Sequence, residues 1–186
     1  MLQIKVLKNI DVKKITNEFL ERNVINILLS AIEKIGIQCV NEARVNGSYT
    51  DRTGNLRSSV GYVILYNGDV VSRGGCTPVA VAPKTIKEVR TSERKLKNGE
   101  TKTYTYTVNV KVEGDGKEGA KSGEEFQNEL ITHYSGSKGI VLIVSAGMKY
   151  GVYVEAKGFN VITSAKLLAE KITPETLRKL GFEIKN

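Results

Sequence analysis

The chain has no tryptophan, one histidine, two cysteines and three prolines among 186 residues. Each shortage removes a class of chemistry. Any Ser–His–Asp or Cys–His arrangement would have to run through His133, and a lone histidine near the end of an amphipathic helix reads as a surface or dipole-satisfying residue. One histidine and two distant cysteines lack the paired spacing of a zinc site. Cys39 lies in a helical pattern and Cys76 follows Gly74-Gly75 in an expected loop. Such unrelated contexts make no disulfide framework, so reduced thiols are expected. The N-terminus, Met1 to Val6, has no long apolar core or cleavage site. Apolar stretches such as Ile140 to Val144 fall short of the roughly 20 residues a bilayer requires. The reading is a soluble chain with no membrane partner.

Glycine is plentiful, with 18 residues, and its motifs were tested in turn. Gly114-Asp115-Gly116-Lys117-Glu118-Gly119 superficially looks like a dinucleotide fingerprint, but it follows no buried parallel strand and opens no clear helix. The phosphate-loop pattern is absent, and Asp115 with its acidic neighbours misses the spacing of a calcium loop. The run is expected to be a mobile loop over 114–123. Catalytic residues, metal and cofactor are all expected to be none.

What is present is an ordinary globular balance, 40% hydrophobic and 26% charged, with a net charge of +8. That length supports one domain or one domain with an insertion. The charge permits contact with nucleic acid or an acidic surface, but with no supporting nucleic-acid motif a solvated basic surface is the favoured reading.

Residues 2–7 alternate loosely as a short strand. From an Asp11 cap, Val12, Ile15, Phe19, Ile27, Leu28, Ala31, Ile32 and Ile35 recur at helical steps, and Ile37, Val40 and Ala43 continue the stripe past Gly36 to Arg44. Residues 53–59 form a short helical turn capped by Asp51 or Thr53. Val60 to Tyr66 is a strand, Asn67-Gly68 a two-residue hairpin, Asp69 to Ser72 the return, and Val141 to Ala146 a third strand. Residues 73–139 read as an insertion between core segments 1–72 and 140–186. It holds a hairpin over 86–112, the 114–123 loop and a short helix over 124–134. In the hairpin, Tyr104, Tyr106, Val108, Val110 and Val112 share one face, which favours packing over base stacking. Thr163 or Ser164 caps a helix through Ile172, Thr173-Pro174-Glu175 starts another, and Gly181 ends it. The fold class is α+β: a long N-terminal helix packed on a small, mostly antiparallel sheet, with an inserted β-hairpin and C-terminal helices.

Two segments carry a resemblance. Thr53-Gly54-Asn55-Leu56-Arg57-Ser58-Ser59-Val60 resembles the "TG-x-LR-x-S" signature of the siphophage tail-completion and head–tail joining family, and Met148 to Glu155 resembles its "YA-x-YVE" segment. The order of elements agrees with that family. Gly151 stands where alanine is usual, Ala156-Lys157-Gly158-Phe159 replaces the usual glycine-threonine, and the insertion exceeds a minimal member. The resemblance implies a virion subunit, made in the host cytoplasm, that rings the neck or upper tail. Its partners would be copies of itself, neighbouring neck or tail-tube proteins and, passively, the DNA in the channel. A basic nucleic-acid-binding module is the rival. Leu56 is expected to bury against the long helix, Arg57 to reach Glu155, and Tyr150 and Tyr153 to pack in core or interface. Contacts with neighbours are expected at the hairpin, at Tyr104, Tyr106, Lys95, Lys97 and Lys102, and at the mobile loop. Removing residues 86–121 should then leave a folded monomer that fails to enter particles.

Overall fold

The computed structural model describes residues 12–97 and 99–182, with only the backbone of 12–20. The expected strand over 2–7, the Asp11 cap, the side chains of Val12, Ile15 and Phe19, and Asn98 at the hairpin turn lie outside the described residues.

Helix α1 (Val12–Val45) runs unbroken, about 51 Å long at 1.5 Å per residue. Ile32, Ile35, Cys39, Val40 and Ala43 form its buried stripe. Gly36 sits inside that stripe because a Cβ there would lie 2.9 Å from the Tyr62 ring and 3.2 Å from Leu142 Cδ1. The missing side chain lets the helix lie close on the sheet. By length and composition Glu21–Val45 is apolar enough to cross a membrane, so the expectation that no segment is long enough does not hold. Scattered polar residues break its apolar runs, and its stripe is buried here against protein.

After the four-residue helix α2 (Asn55–Ser58), strands β1 (Val60–Tyr66) and β2 (Asp69–Gly75) form a hairpin. Asn67 and Gly68, with φ of 52° and 90°, supply the left-handed pair that a two-residue turn requires. Strand β5 (Ile140–Ala146) pairs antiparallel on the other side, giving the order β2-β1-β5. Helix α1 covers one face of β1 and helix α3 (Lys117–Tyr134) the other. This explains why β1 is buried from Val60 to Leu65 and reads as a continuous apolar run.

Helix α3 corrects two expectations. Residues 117–123 are helical, not a mobile loop, and the helix over 124–134 is the second half of a longer one. Gly119 and Gly123 let α3 sit on backbone: a Cβ at Gly119 would lie 1.9 Å from the Asn55 carbonyl oxygen, and one at Gly123 would lie 2.7 Å from that of Ser59. Glycine serves here for close approach. Buried Gln127 donates to the carbonyls of Tyr62 and Gly74 at 3.3 and 3.4 Å, fixing the helix over the β1–β2 hairpin. Half of the inserted segment is therefore core, and its expected start at residue 73 falls within β2.

Between β2 and α3, strands β3 (Val81–Lys95) and β4 (Thr101–Gly114) form a two-stranded antiparallel ribbon. Its register runs from Lys84 opposite Val112 to Lys95 opposite Thr101. At about 3.4 Å per residue the ribbon is roughly 48 Å long, as long as α1.

Helix α4 (Gly151–Ala156) follows β5, and helix α5 (Thr163–Lys179) packs on α1 through Ala165, Ala169 and Ile172. One helix passes through Pro174 where two were expected; burial along α1 holds it across the lost hydrogen bond. Gly181, at φ 85°, ends it with Phe182 N–H donating to the Leu177 carbonyl.

Candidate functional site

The first signature segment is a tight turn held by side-chain bonds to backbone, and the residue capping its helix is Gly54 rather than the expected Asp51 or Thr53. Gly54 takes φ 78°, and a Cβ there would lie 2.0 Å from the Val79 carbonyl oxygen, so glycine is required twice over. The Asp51 carboxylate accepts the Gly54 N–H at 2.9 Å, while Thr53 Oγ1 meets the Asn55 N–H at 3.4 Å. Ser58 Oγ donates to the Gly54 carbonyl at 2.7 Å and accepts the Val79 N–H at 2.8 Å.

Ser59 joins the two signature segments. Its hydroxyl donates to the Leu56 carbonyl at 2.8 Å and accepts the Met148 N–H at 3.4 Å, and its carbonyl accepts the Gly147 N–H at 3.2 Å. Both serines are fully buried. Above them Leu56 Cδ1 lies over Gly151, where an added Cβ would approach within 3.2 Å. Leu56 is buried, but on the α4 side of the fold and outside the core cluster that α1 builds, where burial against the long helix was expected. The Arg44 guanidinium donates to the Val60 carbonyl at 3.1 Å and to Thr77 Oγ1 at 2.8 Å, tying the end of α1 to the same junction.

Arg57 and Glu155 do not meet as expected. Arg57 Nε lies 3.3 Å from Asp51 Oδ2, a partner six residues away that needs no long reach. Burial pushes the neighbouring Tyr49 hydroxyl up, against a pull from the Arg57 guanidinium. Glu155 Oε1 instead accepts from Ile162 N–H at 3.1 Å, Thr163 N–H at 2.9 Å and Thr163 Oγ1 at 2.7 Å. It thus caps α5, where Thr163 or Ser164 was expected to do so. Asn160 completes the cap: its Oδ1 accepts the Ser164 N–H at 2.9 Å and its Nδ2 donates to the Asn46 carbonyl at 2.8 Å.

Burial opposes ionisation of Glu155, but the Thr163 hydroxyl and the Ile162 and Thr163 amides outweigh it and hold the carboxyl below its ordinary 4.5. A depressed folded value means the stabilisation is complete above 4.5 and is lost as pH falls through the lower folded value. Glu155→Ala should therefore cost about 1–2 kcal/mol at neutral pH, the usual worth of a cap. Urea denaturation should show that difference shrinking as the pH is lowered below 4.5; a difference unchanged with pH would mean the carboxylate charge is not what caps α5.

The remaining signature residues face outward. Tyr150 is partly exposed while Val152 and Tyr153 are more than 70% exposed, so the tyrosines are not core. A groove of about 450 Å³ runs between the two segments, lined by Tyr49, Asp51, Leu56, Tyr150, Val154 and Phe159. Both thiols are buried, and burial pushes Cys76 up to about 11, so it is a neutral thiol at physiological pH. Among the described residues no three His, Cys, Asp or Glu side chains are grouped to hold a metal ion.

On the ribbon, Tyr104 and Tyr106 are exposed, together with Lys95, Lys97 and Lys102. The shared face with Val108, Val110 and Val112 is as expected, but only Val112, at the base, is buried. Cover fades towards the tip because no other described residue reaches it, so packing among the described residues does not account for the tyrosines. Ser58, Ser59 and Asn160 were not singled out from sequence, and Asp51 was named there only as a candidate cap of the 53–59 turn. Ser59 alone had a signal there, as the final serine of the first signature. No protein-family model, curated protein or solved structure matches this chain.

Proposed function

We propose that this chain is a structural subunit of a tailed-virus particle, one copy of a ring at the head–tail joint. The observation that carries the reading is the ribbon. Among the described residues its 15- and 14-residue strands pair only with each other and leave both outer edges and most of both faces exposed. An isolated two-stranded hairpin is marginal in water, and open edges invite pairing with another chain. A long arm of this kind is useful when a neighbour covers it. In a closed ring each subunit presents one surface to a different surface of the next, and an arm projecting from one side suits that head-to-tail contact.

The signature segments support the same reading through their division of labour. Gly54, Leu56, Ser59 and Glu155 build the junction, while Val152 and Tyr153 form an exposed apolar patch beside it. Patches rimmed by polar residues mark contact surfaces. The test is removal of the distal ribbon, with incorporation into particles as the readout.

A further inference from the structure

We infer that one face of the ribbon, the face carrying Arg90, Arg94, Lys102, Tyr104 and Tyr106, binds the phosphate backbone of duplex DNA. Residues opposed across an antiparallel pair share a face. The pairs Arg90–Tyr106, Ser92–Tyr104 and Arg94–Lys102 therefore lie side by side on one surface. On this face the charged residues from Arg90 to Tyr106 are Arg90, Arg94 and Lys102, all of them basic.

The Arg94–Lys102 pair supplies the second observation. Like charges directly opposite in a sheet repel and destabilise it. Neither side chain is in an ion pair among the described residues, and both are exposed. A polyanion placed between them removes the repulsion. Lys102 Nζ lies 5.6 Å from the Tyr104 ring centroid, which holds the ammonium on this face. Lower on the same face Glu88 is already neutralised by Arg52 at 3.2 Å and Arg90 at 3.6 Å, so it does not repel an approaching phosphate. The opposite face carries Thr85, Thr91, Thr101, Thr103, Thr105 and Thr107, with Lys87, Lys95 and Lys111 set among them and Glu93 beside Thr103; it has no tyrosine and no directly opposed pair of like charges.

The shape favours duplex DNA, since a two-stranded β-ribbon fits the major groove. Charge and hydroxyl contacts to phosphate give binding without sequence preference. This goes beyond the ring assignment and can fail without it, because it is read on the purified chain while the ring is read in particles.

The experiment measures binding of the full-length chain to a fluorescent 20-base-pair duplex by anisotropy from about 50 to 200 mM salt. Arg94→Gln with Lys102→Gln should flatten the salt dependence by close to two phosphate contacts. The wild type then loses roughly tenfold more affinity than the variant across that range. Lys87→Gln with Lys111→Gln makes the same charge change on the opposite face and should lower the slope much less. Thermal unfolding of the Arg94/Lys102 variant should stay level or rise as the repulsion goes. Absence of binding by the wild type, or equal effects of the two variants, overturns the inference. So does poly-glutamate bound as tightly as the duplex through the same two residues, which would make the partner an acidic protein.

Discussion

A chain in which residues 87–109 are replaced by Asn-Gly is expected to fold like the full-length protein and to be missing from assembled particles. The cut joins Ile86 to Val110, which face each other in the register, through a turn suited to a two-residue loop. The base of the ribbon is kept, with Val112 buried and Gly114 against Thr53. What is lost is almost all exposed, apart from the Arg52–Glu88 pair, a surface contact of small worth. The unfolding midpoint should therefore move little while incorporation falls below detection. Removal of residues 86–121, expected from sequence to be harmless to folding, would take the first turn of α3 with buried Gly119 and Ala120. That variant should unfold. Normal incorporation of the 87–109 replacement would refute the role given to the ribbon.

Gly119→Ala should be strongly destabilising although it lies inside a helix. Helix propensity alone predicts the reverse, since alanine is favoured over glycine by about 1 kcal/mol in a helix interior. The added Cβ would sit 1.9 Å from the Asn55 oxygen and 2.4 Å from its Cα, both backbone atoms that no rotamer can move. Either α3 lifts off α2 or the first signature segment shifts. The expected loss is about 3 kcal/mol or more, the upper end of overpacking. Gly136→Ala, with nothing within 4 Å of its Cβ, is the control and should leave the denaturation midpoint unchanged. An alanine at 119 as stable as the parent would mean that α3 does not seat on α2.

These two positions also show what the sequence made legible. The helix of α1, the Asn67-Gly68 turn and the alternation over 104–112 are local patterns, and each became the expected element, although Ile27 and Ile37, expected on the buried stripe of α1, are exposed. Gly116, Gly119 and Gly123 are equally local, yet they read as a loop because glycine signals either a mobile backbone or a close approach. Only the partner decides between them: the Asn55 and Ser59 backbone for Gly119 and Gly123, and Ser58 Oγ with the Val79 backbone for Gly116. The Glu155 contacts were illegible for a related reason. A carboxylate seven residues before Ile162 and 98 after Arg57 offers both a short-range cap and a long-range ion pair, and spacing favours neither. Exposure of Tyr104 and Tyr106 was hidden too, since alternation gives the face and not what lies against it.

The role assigned to the ribbon is tested most directly by trypsin footprinting of purified tailed particles beside the free chain. Arg90, Arg94, Lys95, Lys97 and Lys102 lie in a two-stranded arm that is marginal alone and opens often enough to be cut. The account predicts cleavage at these sites in the free chain and protection in the particle. Equal cleavage in both, or intact particles without the chain, would contradict it.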